Sequence, residues 1–60
     1  MDPDANILEQ AGLVREMIEA NEINEYDARR LADLVEALIT WLARDGYAPN
    51  WKTALRELNA

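Results

Sequence analysis

The chain has no cysteine, histidine, serine or phenylalanine, and only two glycines and two prolines among its 60 residues. Each absence closes a route. Without cysteine no disulfide can staple so short a chain, and without cysteine or histidine the usual structural zinc sites have no ligands. Nucleophilic catalysis of the common kinds needs serine or cysteine beside a base such as histidine. Thr40 and Thr53 are the only aliphatic hydroxyls, and neither has an evident basic partner; Lys52, the only lysine, reads as a solvated surface side chain. No catalytic residue, cofactor-binding residue or metal ligand is therefore expected, and the chain does not read as an enzyme.

Long apolar runs are missing as well. Nothing approaches the ~20 residues a helix needs to cross a bilayer. The acidic opening "MDPDANILEQ" lacks the basic region and apolar stretch of a signal peptide. The expectation is a soluble, cytoplasmic chain with no membrane partner. Positive charge is scarce: six Lys and Arg stand against twelve Asp and Glu, a net charge of −6. That balance argues against direct binding to a nucleic-acid backbone, which needs a basic footprint.

The acids are unevenly placed. Residues 1–25 contain Asp2, Asp4, Glu9, Glu16, Glu19, Glu22 and Glu25 against Arg15 alone, whereas the acids and bases of residues 26–60 balance. The whole net charge belongs to the first segment. Sixty residues also sit near the lower limit at which a single core can be buried. With staples and metal excluded, the remaining supports are good helix packing and oligomerisation.

Three helices are predicted in one domain spanning residues 1–60. Asp2 followed by Pro3 makes an N-cap and first-turn pair for a helix over about 3–20. Ile7, Ala11, Val14 and Ile18 recur on one face, with Glu9, Glu16 and Glu19 opposite. Gly12 falls among those acids, where it lowers helix propensity or admits a close neighbour. Leu13 and Met17 widen the apolar arc beyond what one neighbouring helix covers. In "NEINEYDARR", Asn24 reads as an N-cap with Asp27 as its capping-box partner and Ile23 with Ala28 as a hydrophobic staple. The second helix is predicted over about 25–45, stopping at Gly46 in the left-handed conformation, with Pro49 shortly after.

This second helix is the spine. Leu31, Val35, Leu38 and Leu42 lie along its centre, with Ala28, Ala32 and Ile39 on one flank and Leu34 and Trp41 on the other. Its apolar arc covers about half the circumference, wider than the ~100° stripe of an ordinary surface helix. Asn50 then caps a short helix over about 51–58, with Trp51, Ala54, Leu55 and Leu58 on its apolar side. So short a helix is marginal alone and must dock to persist. The turn at Gly46 and Pro49 is expected to bring Trp41 and Trp51 near the same end of the molecule.

The candidate surfaces follow from these patterns. An interface with a second copy or a partner is expected at Leu13, Met17, Leu34, Leu38, Trp41 and Trp51, since tryptophans and large aliphatics at helix faces serve as core or as docking anchors. Glu9, Glu16 and Glu19 on the first helix, with Glu22 just after it, form an acidic surface. Arg29 and Arg30 do not read as nucleic-acid contacts, since Glu25 four residues before Arg29 and Asp33 four after it supply ordinary helix ion pairs.

The stretches "MDPDANILEQ" and "LADLVEALITWLARDGYAPNW" carry a resemblance. The chain resembles a group of short, uncharacterised phage and bacterial proteins that open with MDP plus Asn or Asp, then continue through a leucine-rich helix and a tryptophan to a Gly-aromatic-x-Pro turn. It departs from them at Asp45, where the group's turn has the first of two glycines. The resemblance implies a mobile-element or bacterial origin and no functional residues.

The expected fold is all-α: two antiparallel main helices forming a hairpin, a short third helix across their end, and dimerisation into a helical bundle. The expected function is a non-enzymatic protein-interaction module that forms a homodimer and has room for an unidentified protein partner. A different reading takes the acids as an inhibitor's surface, occupying the cationic groove of a nucleic-acid-binding protein by mimicry.

Overall fold

The computed structural model describes residues 1–60 as three helices and no strand: α1 (Pro3–Ala20), α2 (Glu25–Ala43) and α3 (Trp51–Leu58). All three N-caps are those the sequence announces. Asp2 Oδ1 accepts the Asp4 and Ala5 amides, Asn24 Oδ1 those of Tyr26 and Asp27, and Asn50 Oδ1 that of Lys52. Each satisfies amide donors that a helix start leaves unpaired. The start of α2 is simpler than predicted. Asp27 makes no return bond to the Asn24 amide, its side chain being shorter than the usual glutamate, and Ile23 is exposed rather than stapled down.

The end of α2 differs from expectation in an instructive way. The helix stops at Ala43, and the left-handed residue is Asp45, with φ 62°, not Gly46. The Asp45 amide donates to the Leu42 carbonyl and the Gly46 amide to that of Trp41 at 2.9 Å, the two bonds of a left-handed helix stop. Gly46 is needed for space instead. A Cβ there would overlap the Trp41 indole, which lies over this backbone and donates from Nε1 to the Tyr47 carbonyl at 2.9 Å. The Trp41 and Tyr47 rings meet edge to face at 5.5 Å, so Trp41 is paired with Tyr47 and not with Trp51.

α3 lies along α1 alone. It does not cross the ends of both main helices. The Asp4 carboxylate accepts the Asn50 amide at 2.6 Å, which returns the chain to the start of α1. From there Ala54 buries against α1, and Arg15 Nη2 of α1 donates to Glu57 at 3.1 Å. The core is accordingly small: Ile7, Ala11, Leu38 and Ala54, with Trp41 packed beside them.

α1 is the middle of a single layer. It packs against both α2 and α3, which make no close backbone approach to each other. Asn6 reaches α2 and Arg15 reaches α3. At about 100° per residue these two positions are about 180° apart around α1, so its neighbours occupy opposite flanks. The shortest Cα extent of the molecule is 12 Å. Two stacked helix layers, with axes ~8–10 Å apart and a radius of ~2.3 Å on each outer side, would need more.

A flat layer has two faces. On α1, Ile7, Val14 and Ile18 point to one of them and Gly12, Glu16 and Glu19 to the other, by the same angular count. On α1, then, one face is apolar and the other acidic.

Candidate functional site

The apolar face opens into a groove between the second half of α1 and the length of α2. Val14, Met17 and Ile18 form one wall; Ala28, Leu31, Ala32, Val35 and Ile39 form the other; Ile23 closes the end, and the groove encloses about 1000 Å³. Its polar rim is Asn21, Glu22, Glu36 and Thr40. Ile18, Ile23 and Ile39 are 69%, 79% and 61% exposed, although isoleucine is among the residues most often found inside proteins.

The groove exists because α2 is apolar over too wide an arc for one neighbour. α1 takes the Leu34 and Trp41 flank together with Leu38, leaving Leu31, Val35 and Leu42 at the centre and Ile39 on the far flank without a partner helix. α1 repeats the pattern along its axis. Ile7 and Ala11 are buried, Val14 is half-buried and Ile18 is exposed, as α3 ends and the layer runs out of cover. A smaller groove of about 290 Å³ lies on the other flank, where Ile7, Ala11 and Val14 face Trp51, Leu55 and Leu58. Val14 belongs to both, so the two grooves are parts of one face.

Polar contacts set the seam between α1 and α2. Asn6 is buried; its Nδ2 donates to the Leu34 carbonyl at 2.9 Å, while its Oδ1 accepts from Gln10 Nε2 at 2.7 Å. Removing either partner would leave a buried polar group unsatisfied. One turn along, the Arg30 guanidinium grips both oxygens of Glu9, with Nη2 to Oε1 at 2.7 Å. Those hydrogen bonds hold the Glu9 carboxyl below the usual glutamate range and raise Arg30 above its ordinary value. On the α3 side the fit is poorer. Arg15 bonds Glu57 and lies 4.0 Å from Glu19, but its Nε is buried without an acceptor.

The residues singled out from the sequence fall into three places. Leu34 and Leu38 are buried between α1 and α2, and Trp41 packs beside them, so this flank is committed within the chain. Met17 lines the large groove and Leu13 is half-buried. Trp51 is 53% exposed in the smaller groove. Of the acids, Glu9 is taken by Arg30 and Glu19 faces Arg15, while Glu16 and Glu22 are exposed and Glu22 stands at the groove rim. Arg29 pairs with Asp33 at 3.3 Å.

Two contributors were not picked out in the sequence. Asn6 sits on the same edge of α1 as Gln10 and Leu13, and a polar residue at that edge is the available signal for a clamp. The Glu9 to Arg30 pair spans 21 residues and has no local signature. No group of three carboxylates converges as a metal site would require, and no helix is long and apolar enough to cross a membrane. Comparison with protein-family models, with curated proteins and with solved structures finds no match.

Proposed function

We propose that this chain is a non-enzymatic protein-interaction module, of the phage or bacterial type its resemblance implies, that docks through one apolar helix face and self-associates as a homodimer. In this reading α1 and α2 form an antiparallel hairpin, and the open face of each copy helps to build a helical bundle. The observation that carries it is the unburied apolar surface. Half of the residues are hydrophobic, yet eight of the 60 are buried. Domains ordinarily bury such faces between two packed layers, and this chain supplies one.

The reading of the acids as a nucleic-acid mimic has less support. Glu9 and Glu19 already face arginines of the same chain, which leaves Glu16 and Glu22 of the four. Mimicry needs an array of free negative charge, and this one is interrupted.

Sedimentation equilibrium from nanomolar to high micromolar concentration tests the proposal. The expected result is a mass near twice 6.8 kDa at the upper end, falling toward the single-chain value on dilution. A chain that remains helical and monomeric throughout would overturn self-association.

A further inference from the structure

We infer that the second copy seats on the groove between α1 and α2, as a two-fold pair in which the Ile39 ridge of each α2 enters the groove of the other. This rests on the self-association proposed above and adds where the copies meet. Three observations carry it.

The first is area. The chain exposes 4508 Å². A compact monomer of 6.8 kDa exposes about 4,000 Å² by the usual mass scaling. The excess of about 500 Å² falls just below the ~600–1,000 Å² that each partner contributes to a standard interface. The radius of gyration agrees, at 11.7 Å against about 10.4 Å for a compact 60-residue domain.

The second is shape. Ile39 projects on the far flank of α2, and the slot between α1 and α2 opens on the same face. A ridge and a slot on one surface are what a two-fold contact requires, because each copy then gives and receives the same feature. The closed pair leaves no free end from which a filament could grow.

The third is charge. No lysine or arginine lines the groove, and its acids, Glu22 and Glu36, stand among its polar rim residues. The exposed acids Glu16 and Glu19 point to the opposite face. Two copies of net charge −6 can therefore meet on their apolar sides, with two acids of each copy at the rim and the other acids outside the groove lining. An anionic lipid surface is a poorer occupant, since it recruits basic residues.

Glutamate substitutions at exposed positions, read by sedimentation equilibrium with circular dichroism, test this. Ile39→Glu and Ile18→Glu place a charge on either wall of the large groove, and Leu55→Glu places one in the smaller groove. Ile39 and Leu55 are 61% and 57% exposed, so their direct folding costs are comparable. The two-fold axis would bury each new charge twice, and the expected result is a folded monomer from Ile39→Glu or Ile18→Glu with dimer affinity lowered about 100-fold or more. Leu55→Glu should dimerise like the parent. If the parent dimerises and both groove variants do too, or if Leu55→Glu is the one that dissociates, the seat is wrong while self-association stands. A monomeric parent overturns both. Should Ile39→Glu lose its helical signal, Ile18→Glu on the other helix gives the reading alone.

Discussion

At the residue scale the two glycines have opposite value. A Cβ at Gly12 would meet nothing within 4 Å, so the glycine there gives up helix propensity and gains no packing. Gly12→Ala should raise the unfolding free energy by about 0.5–1 kcal/mol. A Cβ at Gly46 would run into the Trp41 indole, which is held by its bond to the Tyr47 carbonyl and by the ring of Tyr47. Gly46→Ala should lower stability by about 1–3 kcal/mol through overpacking. Urea titration followed by tryptophan emission reads both, and equal tolerance at the two sites would show that the indole can move aside at little cost. The sequence pointed to Gly46 as a helix stop for a different reason, backbone freedom, because glycine is the commonest residue at a left-handed cap. Asp45 carries that conformation here, as Asn21 does after α1 with φ 51°. Short polar side chains tolerate it, and a pattern reader cannot tell that the glycine one step on is reserved for a ring.

At the element scale the helices and their caps were legible, because capping and hydrophobic period are local. What was not legible was which flank of α2 each neighbour would take. The arc from Trp41 round to Ile39 offers several seats for α1, and the one taken is marked by long-range contacts that local pattern does not reveal: the buried Asn6 clamp on the Leu34 carbonyl and the Glu9 to Arg30 pair. Leu34, Leu38 and Trp41 thus went to the interior, while Val35 and Ile39 stayed outside. The Glu9 pair also gives this seam an acid dependence. Its carboxyl titrates at a lower pH in the folded chain than in the unfolded one, because Arg30 hydrogen-bonds the charged form. The stability it supplies is therefore present above the ordinary glutamate range and is lost as the pH falls through that range to the lower folded value. Arg30→Gln removes the cause. The difference in unfolding free energy between parent and variant, measured from pH 7 downward, should shrink toward zero as Glu9 becomes protonated in both. A difference that persists unchanged in strong acid would assign the role of Arg30 to its packing.

At the scale of the whole molecule, charge and apolar surface act against each other, and salt separates them. Each copy carries −6, a net charge held by residues 1–25, while the face proposed to meet its partner has two acids, Glu22 and Glu36, at its rim and no base. Bringing two such chains together costs long-range repulsion and gains apolar burial. The repulsion is screened over a Debye length of ~10 Å at 0.1 M salt and ~3 Å at 1 M, whereas the burial term does not depend on simple screening. Self-association should therefore strengthen by several-fold between about 0.05 and about 0.5 M sodium chloride, the span over which screening of surface charge becomes effective. The melting temperature should rise with protein concentration at every salt level, because the dimer alone is stabilised by mass action. Docking driven by the acids onto a cationic partner has the opposite sign and weakens as salt is added. Sedimentation equilibrium of the chain alone at stepped ionic strength reads the sign for self-association. An association constant that falls with salt would mean that the copies meet through Arg and Glu side chains at the edges of the layer, with the apolar groove left unused.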